Sequence, residues 1–219
     1  YSRYGFDEFI LALGYKGDQI KRYFTEYHTL SRNITVDLAT GSVKPHDTAS
    51  EGWTVHLIDT GHDTMTGGRL KRLQPWLKDE TFMLTYGDGV GNIDLDSLLS
   101  LHKKSRKTGT VTAVRPPARF GALVLDGNTV SRFSEKPQAG EGWISGGFMV
   151  FNPAVFRKLK GDRSILETDG LERLAGDRQL AAYRHEGFWQ CMDTTRDKLL
   201  LERLWATGKA PWITEDHRP

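Results

Sequence analysis

Two acidic residues stand where apolar runs stop. Asp88 lies between two glycines in TFMLTYGDGV, and Asp193 follows GFWQCM and precedes two threonines. A carboxylate between glycines leaves room for a metal or a phosphate to come close to the backbone. The same triplet also suits a tight turn. A second acid at another strand end would complete a divalent-cation site with the first. Mg2+ commonly takes one or two carboxylates and fills its octahedron with water and substrate phosphates. Asp193 equally suits the N-cap of the helix begun by TTRDKLLL.

Other groups could serve such a site. Gly67-Gly68-Arg69 precede a helical pattern and read either as an anion site with a fixed positive charge or as a loop-to-helix junction. Arg119, in PPARFG, follows two prolines that stiffen its loop, and on composition it is a surface charge. Glu135-Lys136 pairs an acceptor for sugar hydroxyls with an ammonium for phosphate. The plainer reading of that pair is an exposed ion pair. Gly146-Gly147 opens an apolar strand, as a bulge or as a place where backbone meets ligand. Asp94 and Asp96 have the acid-x-acid spacing of metal-dependent glycosyltransferases, but at the start of a helical pattern capping is the better reading. The seven histidines show no metal-ligand spacing with cysteine. Neither a G-x-S-x-G elbow nor a Walker-type loop occurs.

These residues need a scaffold, and the pattern supplies one. Phe9 to Leu13 form an apolar run that Gly14 ends, and Ile20, Tyr23, Phe24 and Tyr27 follow at helical spacing. ITVDL (34–38) and WTVHLIDTG read as strands, separated by a polar excursion over 39–52. GGRLKRLQPWL and LDSLLSLHKKS read as helices on either side of the strand TFMLT. Alternating strands and helices predict an α/β fold: a Rossmann-like, mostly parallel mixed sheet flanked by helices, with a smaller β-rich region. In such sheets ligands sit at the carboxyl ends of strands, where Asp88, Gly14 and Gly61 fall. Further on, two alternating runs around Asp126-Gly127-Asn128 predict a hairpin. TRDKLLLERLWATG predicts a last helix stopped at Gly208.

The 219 residues suffice for one domain with a full core. A formal charge of +2 advertises neither nucleic acid nor membrane as partner. The single cysteine, Cys191, rules out an internal disulfide framework and fits a reducing compartment. No apolar run reaches the ~18 residues of a membrane span, and no signal peptide is visible. The opening YSRYGFDEFILAL reads as a helix tail entering a strand, which points to a preceding segment outside this sequence.

Taken in order, GYKGDQIKRYF, DTGHDTMTGGRLKR, TYGDGV, PPARFGAL, FSEKP, ISGGFMVFNP, GFWQCMDTTRDKLLLE and GKAPW resemble the sugar nucleotidyltransferases from about Tyr4 to Trp212. TGGRLKR, FWQCMDT and GKAPW point to their cytidylyl branch. The resemblance implies one nucleotidyltransferase domain over residues 1–219. It implies Mg2+-dependent transfer of a cytidylyl group from CTP to glucose 1-phosphate, for dideoxy-sugar and surface-polysaccharide synthesis, in a cytoplasmic homo-oligomer. It assigns Asp88 and Asp193 to the metal, and Thr64, Arg69 and Gly87 to the nucleotide. Arg119, Glu135, Lys136, Gly147 and Trp189 go to the sugar phosphate, with Asp88, Asp193 and Lys136 catalytic. The family opens with a strand and a G-G-x-G-T-R-L loop followed by P-K-P, and these residues are expected upstream of Tyr1. Ser145 stands where the family often has Asn. Uridylyl or thymidylyl transfer stays open, as does nucleotide-sugar binding without catalysis.

Overall fold

The computed structural model describes residues 1–46, 51–77, 79–116, 122–126, 129–134 and 142–213. They fall into two compact units, Tyr1–Lys78 with Phe156–Gly170, and Asp79–Val155 with Leu171–Pro219. Mixed α/β structure is what the alternating pattern predicts, and both units have it.

The first unit is built on a parallel pair, β1 (Glu8–Leu13) and β4 (Thr54–Asp59), in register from Glu8↔Thr54 to Leu13↔Asp59. Parallel neighbours need a crossover. Here it contains α1 (Gly17–Thr25), α2 (Tyr27–Leu30) and an antiparallel hairpin, β2 (Ile34–Asp37) with β3 (Ser42–Pro45). The polar excursion expected as loop is therefore partly strand. Asp37 Oδ1 accepts the amides of Ala39 (2.8 Å) and Thr40 (3.2 Å), and Gly41 takes φ 72°. These two features close the turn and let SVKP fold back on ITVD. After β4 comes α3 (Thr66–Arg72).

The second unit carries β5 (Phe82–Thr85), β6 (Gly89–Gly91), α4 (Leu95–Ser105), β7 (Gly109–Val114), β8 (Ala122–Asp126), β9 (Thr129–Ser134), β10 (Ile144–Phe151), α5 (Arg173–Gly176), β11 (Leu180–His185), β12 (Trp189–Cys191) and α6 (Thr195–Ala206). Four strands form one sheet in the order β11-β7-β10-β5. β11 runs parallel to β7, and β10 runs antiparallel to both β7 and β5, so β5, β7 and β11 share a direction. β8 and β9 make the expected hairpin. Met149, Val150 and Phe151 of β10 and Val114 of β7 are essentially inaccessible, as is Leu98 of α4, so the core lies where α4 covers this sheet. His102 of α4 is buried against the sheet, and its Nδ1 pairs with Thr110 Oγ1 at 2.9 Å. Burial holds its pKa below the usual histidine value. No helix among the described residues is long and apolar enough to cross a membrane.

Candidate active site

The three residues GVG of β6 are too short to read as a strand, yet they pair with β12 as Gly89↔Cys191, Val90↔Gln190 and Gly91↔Trp189. One more bond continues the ladder: the Met192 amide donates to the Asp88 carbonyl at 2.8 Å. Asp88 and Asp193 thus lie one residue step apart across the end of the β6–β12 pair. A continued pleat would send them to opposite faces. The pleat ends at Gly89 and Cys191, leaving Asp88 in a turn and Asp193 in an irregular link; both are exposed.

Neither Gly87 nor Gly89 has positive φ, so the turn does not require glycine at either position. A Cβ on Gly87 would meet nothing within 4 Å, and one on Gly89 would come no closer than 3.5 Å to any atom. Nor does Asp193 cap α6. Thr194 does, with its Oγ1 accepting the Asp197 amide (3.2 Å) while Asp197 Oδ2 accepts the Thr194 amide (3.1 Å). This reciprocal box satisfies two helix-start groups at once, so it displaces the expected Asp193 cap. Asp94, by contrast, is a cap: Oδ1 accepts the Ser97 amide (2.9 Å) and Oδ2 the Ser97 hydroxyl (2.7 Å). Those bonds stabilise its ionised form and lower its pKa.

Beside the acids lie two residues expected on the sugar side. Trp189 Nε1 donates to the Gly146 carbonyl at 2.8 Å, tying β12 to β10. Gly147, at φ 76°, sits where the β7–β10 register shifts between Ser145 and Met149. A Cβ there would reach 3.2 Å from the Tyr86 ring, and one on Gly146 would reach 2.7 Å from Val114 Cγ1. The bulge reading of this glycine pair holds, and it turns the pair toward Tyr86 and Trp189. Arg119, Glu135 and Lys136 lie outside the described residues.

Thr64 and Arg69 lie in the first unit. Thr64 is buried in the link between β4 and α3. Arg69 Nη1 donates to the carbonyls of Leu13 (3.1 Å) and Gly61 (2.8 Å) and to Thr60 Oγ1 (2.9 Å), and Nη2 donates to the His62 carbonyl (3.1 Å). Its guanidinium is therefore a staple across the carboxyl ends of β1 and β4. Gly14 makes that possible, because a Cβ there would lie 2.2 Å from Nη1. Gly67 and Gly68 are not an open anion cradle: the Gly68 amide donates to the Ser164 carbonyl at 2.9 Å. Cβ atoms on them would lie 2.9 Å from Ser164 O and 2.3 Å from Asp162 O.

Two exposed carboxylates at adjoining strand ends are a hard-oxygen donor set that fits Mg2+, with phosphate and water left to complete the shell. A cluster of three or more His, Cys, Asp or Glu residues, as a structural zinc would need, is absent among the described residues. Gln190 and Asp197, which reasoning on the sequence passed over, brace this corner. The T-x-x-D spacing of Thr194 and Asp197 was the available signal for one of them.

A chain with an α/β sheet and this strand-end pair of acids invites comparison with known proteins. It belongs to the nucleotidyl transferase family, whose profile matches residues 65–197. Glucose-1-phosphate cytidylyltransferases from Salmonella typhi and Salmonella typhimurium are each 45% identical to it over 215 residues, spanning 98% of this chain and 84% of theirs. Among solved structures, HddC from Yersinia pseudotuberculosis superposes with a TM-score of 0.64 at 18% identity, covering 91% of this chain and 79% of its own, which supports the fold.

Proposed function

We propose that this chain catalyses transfer of a cytidylyl group from CTP to glucose 1-phosphate, giving CDP-glucose and pyrophosphate. Its 45% identity to glucose-1-phosphate cytidylyltransferases over nearly its whole length supports the reaction. The observation that carries the site is the end of the β6–β12 ladder. There two exposed acids adjoin, neither capping α6, beside glycines that the backbone does not require.

In the reaction a phosphate oxygen of glucose 1-phosphate attacks the α-phosphorus of CTP. The new P–O bond forms as the bond to the bridging oxygen breaks, and its electron pair leaves with pyrophosphate. Such transfer depends on in-line positioning and charge neutralisation more than on covalent help from protein. Bound Mg2+ would supply the charge that draws phosphate oxygens together and stabilises the leaving group. Asp88 and Asp193 would hold it. Gly87, with open space where a Cβ would stand, lets the nucleotide approach the backbone. Thr64 would face the nucleotide, and Arg69 would act by fixing the loops after β1 and β4. Gly147 and Trp189 would border the sugar, with Arg119, Glu135 and Lys136 completing its phosphate and hydroxyl contacts.

The setting proposed is cytoplasmic, in a route to surface polysaccharide. We propose a homo-oligomer too, since the β2–β3 hairpin exposes Val36, Leu38 and Val43. Light scattering showing a monomer would reject it.

The reaction is tested by initial rates of pyrophosphate release from glucose 1-phosphate with CTP, UTP, dTTP and ATP, by the full-length protein. CTP should exceed the others. Preference for UTP or dTTP would keep the chemistry and refute the base. Binding with no turnover on any nucleotide would make the protein a nucleotide-sugar binder.

A further inference from the structure

Gln190 is a buried polar residue on a short strand, with 5% of its surface exposed. Its Nε2 donates to the Cys191 carbonyl at 2.8 Å and to Asp197 Oδ1 at 3.1 Å. Both partners are acceptors, so the amide orientation is settled by its surroundings. The other oxygen of Asp197 accepts from the Thr194 amide and, at 2.7 Å, from the Thr194 hydroxyl. Met192 is anchored from the other side, through the Asp88 carbonyl. Cys191, Met192 and Thr194, on either side of Asp193, therefore each have a backbone group held in place.

We infer that Gln190, acting through Asp197, is a positioning residue for the acidic pair: it fixes the Cys191–Thr194 link so that Asp193 stands beside Asp88. The inference rests on the proposed reading of that pair as the cation site. A hydrogen bond to a charged carboxylate in a partly buried setting is among the stronger ones, and leaving either partner unpaired is costly. A purely structural amide would be replaceable at a cost in stability alone. A positioning amide changes how tightly a cation is held, as residues behind metal ligands commonly do.

The test uses the full-length protein and Mn2+ alone, with unbound ion read by electron paramagnetic resonance and Tm measured alongside. Three changes are compared: Asp193→Asn, Gln190→Met, and Gln190→Glu combined with Asp197→Asn. Met keeps the volume of Gln190 and removes its donor. The double change reverses the donor and acceptor across the same contact. Gln190→Met should weaken Mn2+ binding by about tenfold. The double change should recover part of that loss, and half-saturating Mg2+ for turnover should move in parallel while kcat at saturating metal moves less. Gln190→Met that melts earlier yet holds Mn2+ like the unaltered protein would overturn the inference. So would a double change that folds but recovers no affinity. Unchanged Mn2+ binding in Asp193→Asn would instead overturn the acidic pair itself, and the role of Gln190 with it.

Discussion

Gly67-Gly68-Arg69 and Gly87-Asp88-Gly89 look alike as sequence: two glycines and one charged residue where an element begins or ends. In the structure they are opposites. At Gly68 a Cβ would lie 2.3 Å from the Asp162 carbonyl oxygen, so the fold itself excludes a side chain. At Gly87 a Cβ would meet nothing, and the backbone has no left-handed turn to demand glycine. The charges differ in the same way. Arg69 is occupied by four oxygens of its own unit, whereas Asp88 is exposed at the end of a strand pair. A glycine that packing requires reports on the fold. A glycine that packing does not require, beside an exposed acid, is what the proposed ligand site would use.

That contrast can be broken by substitution. The largest effect expected is on turnover: Asp88→Asn should lower kcat by about a thousandfold, the scale of losing several kcal/mol of charge stabilisation, with Tm nearly unchanged. Kinetics and a thermal melt on the same sample check it. Next comes the glycine pair. Gly68→Ala should cost about 1–3 kcal/mol of stability through overpacking against backbone that cannot yield. Gly87→Ala should leave urea unfolding unchanged and raise the KM for CTP. If the two exchange behaviour, the contrast is wrong.

A smaller effect concerns His102. Its pKa is lowered by burial in the folded chain, so the unfolded chain binds the proton more readily. The stability due to neutral His102 is complete above the ordinary value near ~6.5 and falls as pH drops toward the lowered one. Urea midpoints from pH 8 to 5 should show this dependence, and His102→Gln should flatten it. Least of all should come from Asp94→Asn with Asp96→Asn. Asn caps about as well as Asp, so activity should stay within about twofold. A collapse of activity would favour the glycosyltransferase reading of this acid pair.

Much of this was legible in the residues because the signals are local. Alternation and strand-ending glycines gave β1, β4, β5 and β7. Asp94 two residues before Asp96, at the head of LDSLLSLHKKS, gave its cap. What could not be read depends on partners distant in the chain or on competition between neighbours. The oxygens that occupy Arg69 belong to Leu13, Thr60, Gly61 and His62, and three of the four are backbone atoms that carry no residue signature. β6 has only three residues, two of them glycine, and is a strand because β12 pairs with it. Asp193 was a plausible cap until Thr194 and Asp197 satisfied the helix start without it.

The central claim is that the acids at the end of β6 and β12 hold the cation for cytidylyl transfer. The most direct measurement is CDP-glucose formation from CTP and glucose 1-phosphate, followed by phosphorus NMR for the full-length protein and its Asp88→Asn form, each with Mg2+ and with EDTA. The account predicts product only from the unaltered protein with Mg2+. Product formed in EDTA, or formed at the normal rate by Asp88→Asn, would contradict it.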